Sequence, residues 1–304
     1  MSKTLIPAAQ AASIRANASS RLSPWPKSSG AEPMSPKFPQ PSAILDTSSS
    51  PSGRRSTGRA YGSYAGRVTP GAEDYSQPLL PGEGASDYER YLRTDELLAL
   101  QKTPGEQAHR DELLFQTVHQ ASELWLKLAW SEAEEATKLI EQGELRGAER
   151  LLRRSVLALD YVIAQLEMLE ALSPWEYQAI RKVLGHGSGF DSPGFRQIRR
   201  VTPPLGQAFS EKLREAGLNV VSLYVEGRSR EDLYQLAELL LSWDERIGLW
   251  RMRHYLVVAR VIGDQVVGTQ GTPVELLGGL IKQRFYPELW QARNRLTELA
   301  NEED

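Results

Sequence analysis

Hydrophobic residues recur at intervals of three and four along most of the chain after residue 85, which is the spacing of amphipathic α-helices. Alternation of apolar and polar residues, the mark of a strand, is confined to the short segment 218–226. The segments whose periodicity predicts helices are 86–101, 109–142, 144–172, 204–217 and 229–262. The pattern therefore predicts an all-α helical bundle that contains little or no sheet.

Local sequence signals predict where two of these helices begin and end. Gly143 follows the last periodic residue of a long helix, a position where glycine commonly ends helices. Ser173, Pro174 and Glu176 have the spacing of an N-terminal capping box, which predicts that a helix begins at Pro174. A glycine-rich loop, 185–195, follows that helix.

The first 84 residues differ in composition from the rest and hold 11 of the 18 prolines, together with many serines. Such a segment buries too little apolar surface to offset the entropy lost on ordering. Glu32 is the only acid among residues 1–45, which fits either a solvated tail or an organelle transit peptide. The sequence thus predicts a disordered Ser/Pro-rich tail over 1–84 and a helical domain over 85–304.

Composition excludes several functional classes. The chain has no cysteine, which excludes disulfides, thiolate metal sites, cysteine nucleophiles and covalently attached c-type haem. Its formal net charge is -3, without the clustered lysine and arginine of a nucleic-acid-binding surface. No apolar run approaches the roughly 18 residues of a membrane span. We therefore predict a cytoplasmic protein whose partners include neither nucleic acid nor membrane.

His254 is the first candidate for chemistry. On a helix it shares a face with Ile247, Trp250, Val258 and Val261. An imidazole on such a face is either a neutral core residue bonded to a carbonyl or an axial ligand to a flat, apolar cofactor. Three flanking arginines are candidates to meet anionic groups at the rim of such a cofactor: Arg251, Arg253 and Arg260.

Two further candidates are pairs of residues one helical turn apart. His119 follows Phe115 by four residues, so one face presents an aromatic ring and a hydrogen-bonding group. Tyr177 and Arg181 have the same spacing, and an arginine fork beside a phenol suits a carboxylate. Each pair also has a purely structural interpretation, as core packing or as a surface arginine lying along its helix. No two histidines have the spacing of a zinc site.

These residues belong to five segments that, in this order, resemble the haem-dependent tryptophan 2,3-dioxygenases: YERYLRTDELLALQ, HRDELLFQTVHQASELWLKL, LSPWEYQAIRKVLGHGSGFDSPGFR, LWRMRHYLVVARVIG and FYPELWQAR. The resemblance extends over nearly all of 87–296, and its most specific parts are F-x-x-x-HQ-x-x-ELW and S-G-F-x-S. It implies a haem-binding oxygenase domain over 85–304, with non-covalent haem b, in a homotetramer. It also implies insertion of O2 across the indole C2–C3 bond of L-tryptophan, giving N-formyl-L-kynurenine.

The resemblance further implies roles for seven residues. His254 matches the axial ligand of the haem iron, and His119 matches the catalytic distal histidine that meets the indole N–H. Arg181 matches the arginine on the substrate carboxylate. The remaining matches are two pocket aromatics, a threonine near the substrate ammonium, and a tyrosine that a neighbouring subunit supplies: Phe115, Tyr177, Thr269 and Tyr88.

The sequence departs from the family pattern at the loops that close over the substrate. Asp191 stands where S-G-F-x-S has glutamine, and GTQGTPVELLGG, with Pro273 and Glu275, replaces roughly G-T-G-G-S-S-G. The segment between SPGFR and LWRMRH is also shorter. These changes leave open a biosynthetic haem oxygenase that inserts one oxygen atom into a modified tryptophan or tyrosine. A haem sensor and a helical scaffold are alternatives from other functional classes.

Overall fold

The computed structural model describes residues 77–302, so the predicted tail lies outside the described residues as far as residue 76. Within 77–302 the structure contains α-helices, two short 3-10 turns (Gly189–Asp191 and Gly227–Arg230) and no β-strand, which confirms the all-α prediction there. The α-helices are α1 (Asp87–Leu92), α2 (Thr94–Leu98), α3 (Glu112–Gln142), α4 (Leu145–Ala164), α5 (Leu166–Glu170), α6 (Tyr177–Val183), α7 (Pro193–Glu215), α8 (Val220–Glu226), α9 (Glu231–Ile262), α10 (Glu275–Leu280) and α11 (Pro287–Glu302).

Four long helices build the main core. Helix α3 packs against α4 and α7, and α4 packs against α9. Each of the four presents an apolar stripe inward, so the buried side chains form one continuous cluster. Trp243 is fully buried in this cluster, and its indole Nε1 donates a hydrogen bond to Thr202 Oγ1 at 3.0 Å. The bond satisfies the polar atom that burial of a tryptophan would otherwise leave unpaired.

A second, smaller apolar cluster forms where the beginning of α3, helix α5 and the end of α9 meet. Its buried members are Val118, Leu166, Leu169, Leu172, Val257 and Val261. Phe115, Tyr177 and Trp250 pack against it while staying partly exposed. Two predicted site residues, Phe115 and Tyr177, belong to the edge of this cluster, and two more lie close to its buried members in the chain: His119 beside Val118 and His254 three residues before Val257. The second cluster therefore positions the candidate site.

The short alternation over 218–226 does not form a strand, because residues 220–226 form helix α8. Asn219 caps this helix: its Oδ1 accepts from the Ser222 N–H at 2.9 Å, and the Ser222 hydroxyl accepts from the Asn219 N–H at 2.9 Å. Leu223 is fully buried on the inner side. The capping bonds and the burial of Leu223 stabilise the helix. The alternation of apolar and polar residues extends over too few positions to favour a strand instead.

The predicted helix boundaries are confirmed in one case and shifted in the other. Gly143 adopts φ 82° directly after α3 and ends it, as predicted. The Ser173 hydroxyl accepts from the Glu176 N–H at 3.5 Å, but the residues between them form a turn, and α6 begins only at Tyr177. The capping residues therefore lead into the helix through one irregular turn.

The residues just before α1 are tied to it. The Asp87 carboxylate accepts from the N–H groups of Leu79 and Leu80, at 3.0 and 2.6 Å. Arg90 in turn donates to the carbonyls of Leu80 and Gly84. Part of the segment assigned to the tail from composition is thus hydrogen-bonded to the helical domain. None of the helices in 77–302 is long and apolar enough to cross a membrane.

Candidate functional site

His254 lies near the end of α9, half-buried beside Trp250. The two rings are nearly parallel, with an interplanar angle of 11° and centroids 4.8 Å apart. Burial, with a smaller contribution from nearby His119, lowers the pKa of His254 to about 4. The imidazole is therefore neutral at pH 7, and within residues 77–302 its side chain forms no hydrogen bond or ion pair. This arrangement leaves a lone pair available for a ligand.

Gly189 faces the imidazole of His254. A Cβ built on Gly189 would lie 3.8 Å from His254 Nε2, so a side chain at this position would be in van der Waals contact with the imidazole. Gly189 begins the 3-10 turn that follows α6, within the glycine-rich loop. The structure thus brings the loop and the α9 histidine together, which the sequence alone did not indicate.

His119 lies on α3, one turn after Phe115, and the geometry fixes its tautomer. His119 Nδ1 is 2.7 Å from the Phe115 carbonyl oxygen. A carbonyl only accepts hydrogen bonds, so Nδ1 carries the proton and Nε2 of the neutral ring keeps its lone pair. Desolvation lowers the pKa of His119, although the Phe115 carbonyl and the Glu123 carboxylate act in the opposite direction. His119 is therefore suited to accept a hydrogen bond through Nε2.

The rings of Phe115, His119 and Tyr177 form an aromatic wall at the edge of the second apolar cluster. The Phe115 ring lies 4.1 Å from the His119 ring and 5.8 Å from the Tyr177 ring, measured between centroids. Burial raises the pKa of Tyr177, and the positive charge of Arg181 lowers it by less, so the phenol is neutral. Such tilted aromatic contacts suit the binding of another planar ring.

Arg181 and Thr269 lie on one open pocket of about 380 Å³, whose lining residues are Gln178, Arg181, Lys182, Gly185, Gly268 and Thr269. Arg181 Nη2 donates to the Val267 carbonyl at 2.5 Å, and the Thr269 hydroxyl donates to the Gly187 carbonyl. These bonds join α6 and the glycine-rich loop to the segment after α9. The pocket therefore combines a guanidinium with a hydroxyl.

The segment after α9 forms a small hairpin, residues 264–273, which we call the lid hairpin. Val267 and Pro273 form an isolated antiparallel bridge, and the Gly268 N–H donates to the Thr272 carbonyl at 2.9 Å. The tip is a turn in which the Gly271 N–H donates to the Gly268 carbonyl at 3.1 Å, with Gly271 at φ 76°. That positive φ favours glycine, and the tip presents Thr269 to the pocket.

Glu123 is a residue that the sequence analysis missed. Its carboxylate accepts from the Ser192 hydroxyl at 2.5 Å and from the Gly194 N–H at 2.8 Å. Glu123 thereby fastens the start of α7, and the loop before it, to α3 one turn beyond His119. The spacing of four from His119 was visible in HQASE, but its partners are about 70 residues away in the chain.

Gly194→Ala tests this junction. The added Cβ would lie 2.7 Å from both Leu126 Cβ and Glu123 Oε2, so α7 must move away from α3. We expect a loss of about 2 kcal/mol in the free energy of unfolding, measured by urea denaturation. Gly279→Ala in α10 is the matched control, since nothing lies within 4 Å of its Cβ, and it is expected to be neutral or slightly stabilising. Equal stability of the two variants would contradict the close packing.

The remaining predicted groups lie elsewhere. Tyr88 is 69% exposed on α1, and the structure brings it to none of the groups above. Arg253 pairs with Glu170 at 2.9 Å. Arg251 donates to the carbonyl of Leu280, the last residue of α10, at 3.3 Å and to that of Gln283 at 2.9 Å. Both arginines are thus engaged with the protein rather than free to contact a cofactor rim.

Comparison with known proteins identifies the family of this chain. The sequence model of the tryptophan 2,3-dioxygenase family matches residues 73–214. A tryptophan 2,3-dioxygenase from Pseudomonas fluorescens is 32% identical over 260 aligned residues, covering 69% of this chain and 90% of the relative. Those from Bacillus thuringiensis subsp. konkukian (strain 97-27) and Myxococcus xanthus (strain DK1622) are each 30% identical, covering 69% and 70% of this chain and 92% and 91% of the relative. This chain therefore belongs to the tryptophan 2,3-dioxygenase family of enzymes.

Proposed function

We propose that the protein is a haem-dependent dioxygenase that cleaves the indole C2–C3 bond of L-tryptophan with O2, giving N-formyl-L-kynurenine. The observation that carries the proposal is that the glycine-rich loop contacts both parts of the site. Gly189 faces His254, which is neutral and unpaired within the described residues, and Gly187 accepts from Thr269 of the arginine-threonine pocket. Haem b, when bound non-covalently, would supply the activation of O2. The chain's own residues bind and orient the amino acid.

The residues present fit an axial histidine site. His254 is neutral and unpaired within the described residues, which is what ligation through a lone pair requires. Gly189 leaves the approach to Nε2 free of a side chain. Since the chain has no cysteine, a histidine ligand is the form of axial ligation that these residues support.

His119 and the aromatic wall would orient the indole. His119 Nε2 is left as an acceptor by the Nδ1 bond to the Phe115 carbonyl, so it suits the indole N–H. We assign it the holding of that proton rather than its removal, because the indole N–H is a very weak acid. Phe115 and Tyr177 would contact the faces of the ring.

Arg181 and Thr269 would bind the two charged groups of the amino acid. Arg181 now donates to the Val267 carbonyl, and a carboxylate is a stronger acceptor than a carbonyl for its planar fork. The Thr269 hydroxyl oxygen would accept from the substrate ammonium. Holding both ends of the substrate leaves the indole in one orientation, and catalysis by the protein is then mainly proximity and orientation.

The exposed α1 fits a role at a subunit contact. None of its residues is buried, and Tyr88, Tyr91 and Leu92 are all exposed. A homotetramer in which Tyr88 enters a neighbouring site, as the resemblance implies, would cover this apolar surface. A cytoplasmic location is part of the same proposal.

The deciding experiment exposes the anaerobic ferrous haem protein to L-tryptophan and then to O2, and records product masses. A product that gains two oxygen atoms supports the dioxygenase. A gain of one oxygen supports the second candidate, a biosynthetic monooxygenase of a modified tryptophan or tyrosine. The altered lid hairpin, in which Gln270 contacts Asp191 at 2.6 Å, is the observation that favours this second candidate. Unreacted tryptophan in a haem-replete protein would reject L-tryptophan as the substrate.

The neutral state of His254 also has a consequence for the haem-free protein. Because the folded pKa is about 4 and the unfolded value is near 6.5, only the unfolded chain gains a proton as pH falls from 6.5. The stabilisation that comes from the neutral His254 is therefore nearly complete above pH 6.5 and decreases as the pH falls below that value. Between pH 7 and pH 5 we expect His254 to account for a loss of about 1–2 kcal/mol in the unfolding free energy.

Urea denaturation of the haem-free wild type and of His254→Phe, at both pH values, measures this contribution. Phenylalanine keeps a ring beside Trp250 but cannot take up a proton. The variant should therefore lose less stability between pH 7 and pH 5 than the wild type. Identical losses in the two proteins would show that His254 is not held neutral by burial.

A further inference from the structure

Three hydrogen bonds connect the tip of the lid hairpin to α6 and to the loop that follows it. Arg181 donates to the Val267 carbonyl, Thr269 donates to the Gly187 carbonyl, and Gln270 Nε2 donates to Asp191 Oδ2 at 2.6 Å. The partners in each pair are separated by about 80 residues in the chain. These bonds therefore determine where the hairpin lies over the pocket.

The bond from Gln270 to Asp191 is the one that involves no group proposed to bind the substrate. Arg181 is the group proposed for the substrate carboxylate, so a substrate competes for its bond to the Val267 carbonyl. The Thr269 hydroxyl can keep donating to the Gly187 carbonyl while its oxygen accepts from the substrate ammonium, so this hydroxyl is shared with the substrate. The bond between Gln270 and Asp191 uses neither group, so it can hold the hairpin in place when the Arg181 bond is exchanged for substrate.

Asp191 is itself held in position. Its Oδ2 also accepts from the Ser188 N–H at 3.2 Å, which closes the capping box of the 3-10 turn. The next residue, Ser192, donates to Glu123 on α3. On the other side, Gln270 is the neighbour of Thr269 at the tip of the turn. A continuous set of contacts thus runs from α3, which carries His119, to the hydroxyl of Thr269.

We propose that Asp191 and Gln270 form a positioning pair that holds the lid hairpin closed and places Thr269 to receive the ammonium of the substrate. This inference rests on the proposed function for the identity of the substrate group, but the closure itself does not depend on it. The pair acts through Thr269 and makes amino-acid substrates with a free ammonium preferred over analogues that lack one.

Amide hydrogen exchange tests the closure in the protein without substrate. In Asp191→Ala and in Gln270→Ala, the N–H groups of Gly268 and Val274, which pair within the hairpin, should exchange about five-fold faster or more than in wild type. Asp191→Asn is the matched control, since its amide oxygen still accepts from Ser188 and Gln270. It should exchange at nearly the wild-type rate.

The double variant separates a direct contact from two independent effects. If the two side chains act through one hydrogen bond, Asp191→Ala with Gln270→Ala should exchange no faster than either single variant. In Gln270→Glu the two carboxylates repel, and exchange should be fast. Adding Asp191→Asn to that variant should restore slow exchange, because the new amide donates to the new carboxylate. Additive increases of the exchange rate in the double variant, or wild-type exchange rates in both alanine variants, would overturn the proposal that Asp191 and Gln270 act as a pair.

Steady-state kinetics of the haem-containing enzyme test the positioning. Gln270→Ala should raise KM for L-tryptophan about five- to ten-fold while kcat stays within about two-fold. Binding of indole-3-propionate, which lacks the ammonium, should be the same in the variant and the wild type. Equal weakening of both ligands would overturn the role in ammonium recognition. If wild type does not bind L-tryptophan, the proposed function fails, whereas the exchange measurement still decides whether the pair holds the hairpin.

Discussion

His254→Ala is expected to yield a folded protein that no longer retains stoichiometric haem. The substitution removes the one neutral, unpaired imidazole that the structure places opposite Gly189, and alanine offers no donor to iron. The loss is expected to be nearly complete after gel filtration, measured as the ratio of the Soret absorbance to that at 280 nm. Far-UV circular dichroism should remain helical, because the main core lies on the other long helices and on the first half of α9.

Two further measurements make this result specific. His186→Ala removes an exposed histidine of the glycine-rich loop and should retain full haem. His254→Gly should recover haem when imidazole is added, because the free ring can occupy the space beside Trp250. Full haem occupancy and an unchanged spectrum in His254→Ala would refute the assignment of the axial ligand.

Arg181→Lys is expected to raise KM for L-tryptophan about ten-fold or more. A ten-fold increase corresponds to a loss of roughly 1.4 kcal/mol in binding free energy. Lysine keeps the charge but lacks the planar pair of donors that matches a carboxylate. Haem content and melting temperature should change little, because Arg181 is half-buried on a pocket and not in a core cluster. Steady-state kinetics and thermal unfolding measure the two effects separately.

The matched control for Arg181→Lys is Lys182→Ala. Lys182 is the adjacent cation on the same pocket, and it is exposed. Its removal should change KM by much less, since the proposal assigns the carboxylate to the arginine fork. Tryptamine, which lacks the carboxylate, should bind wild type and Arg181→Lys equally. Equal affinity of both proteins for L-tryptophan would show that Arg181 does not hold the carboxylate.

Residue pairs one helical turn apart are the part of the candidate site that the sequence predicts directly. Phe115 and His119 share a face because both are on α3, and Tyr177 and Arg181 share one because both are on α6. Such neighbours follow from the 3.6-residue repeat alone, whatever the rest of the chain does. The same repeat predicted α3, α4 and α9, and of α7 only the second half, since the prediction began at residue 204 and the helix begins at Pro193. The preference of helix ends for glycine predicted the end of α3 at Gly143.

Periodicity and composition were misleading in two short segments, one that contains α8 and one just before α1. The alternation over 218–226 resembled a strand, but Asn219 caps a helix there. Composition placed Leu79 and Leu80 in the tail, although Asp87 binds their backbone N–H groups. In both cases one side chain, Asn219 or Asp87, accepts hydrogen bonds from backbone N–H groups and so stabilises the local conformation. Neither the periodicity nor the composition of a segment reports such hydrogen bonds.

The amino-acid sequence by itself determined the all-α architecture of the described part, the faces of the helices and, through its motifs, the family. Only the tertiary structure decided which faces meet: Phe115 with Tyr177, His254 with Gly189, Glu123 with the start of α7, and Asp191 with Gln270. These partners are about 60–80 residues apart in the chain. A helical repeat carries no information on contacts between residues so far apart in the chain. These contacts are determined by the packing of the long helices and by the loops that this packing brings together.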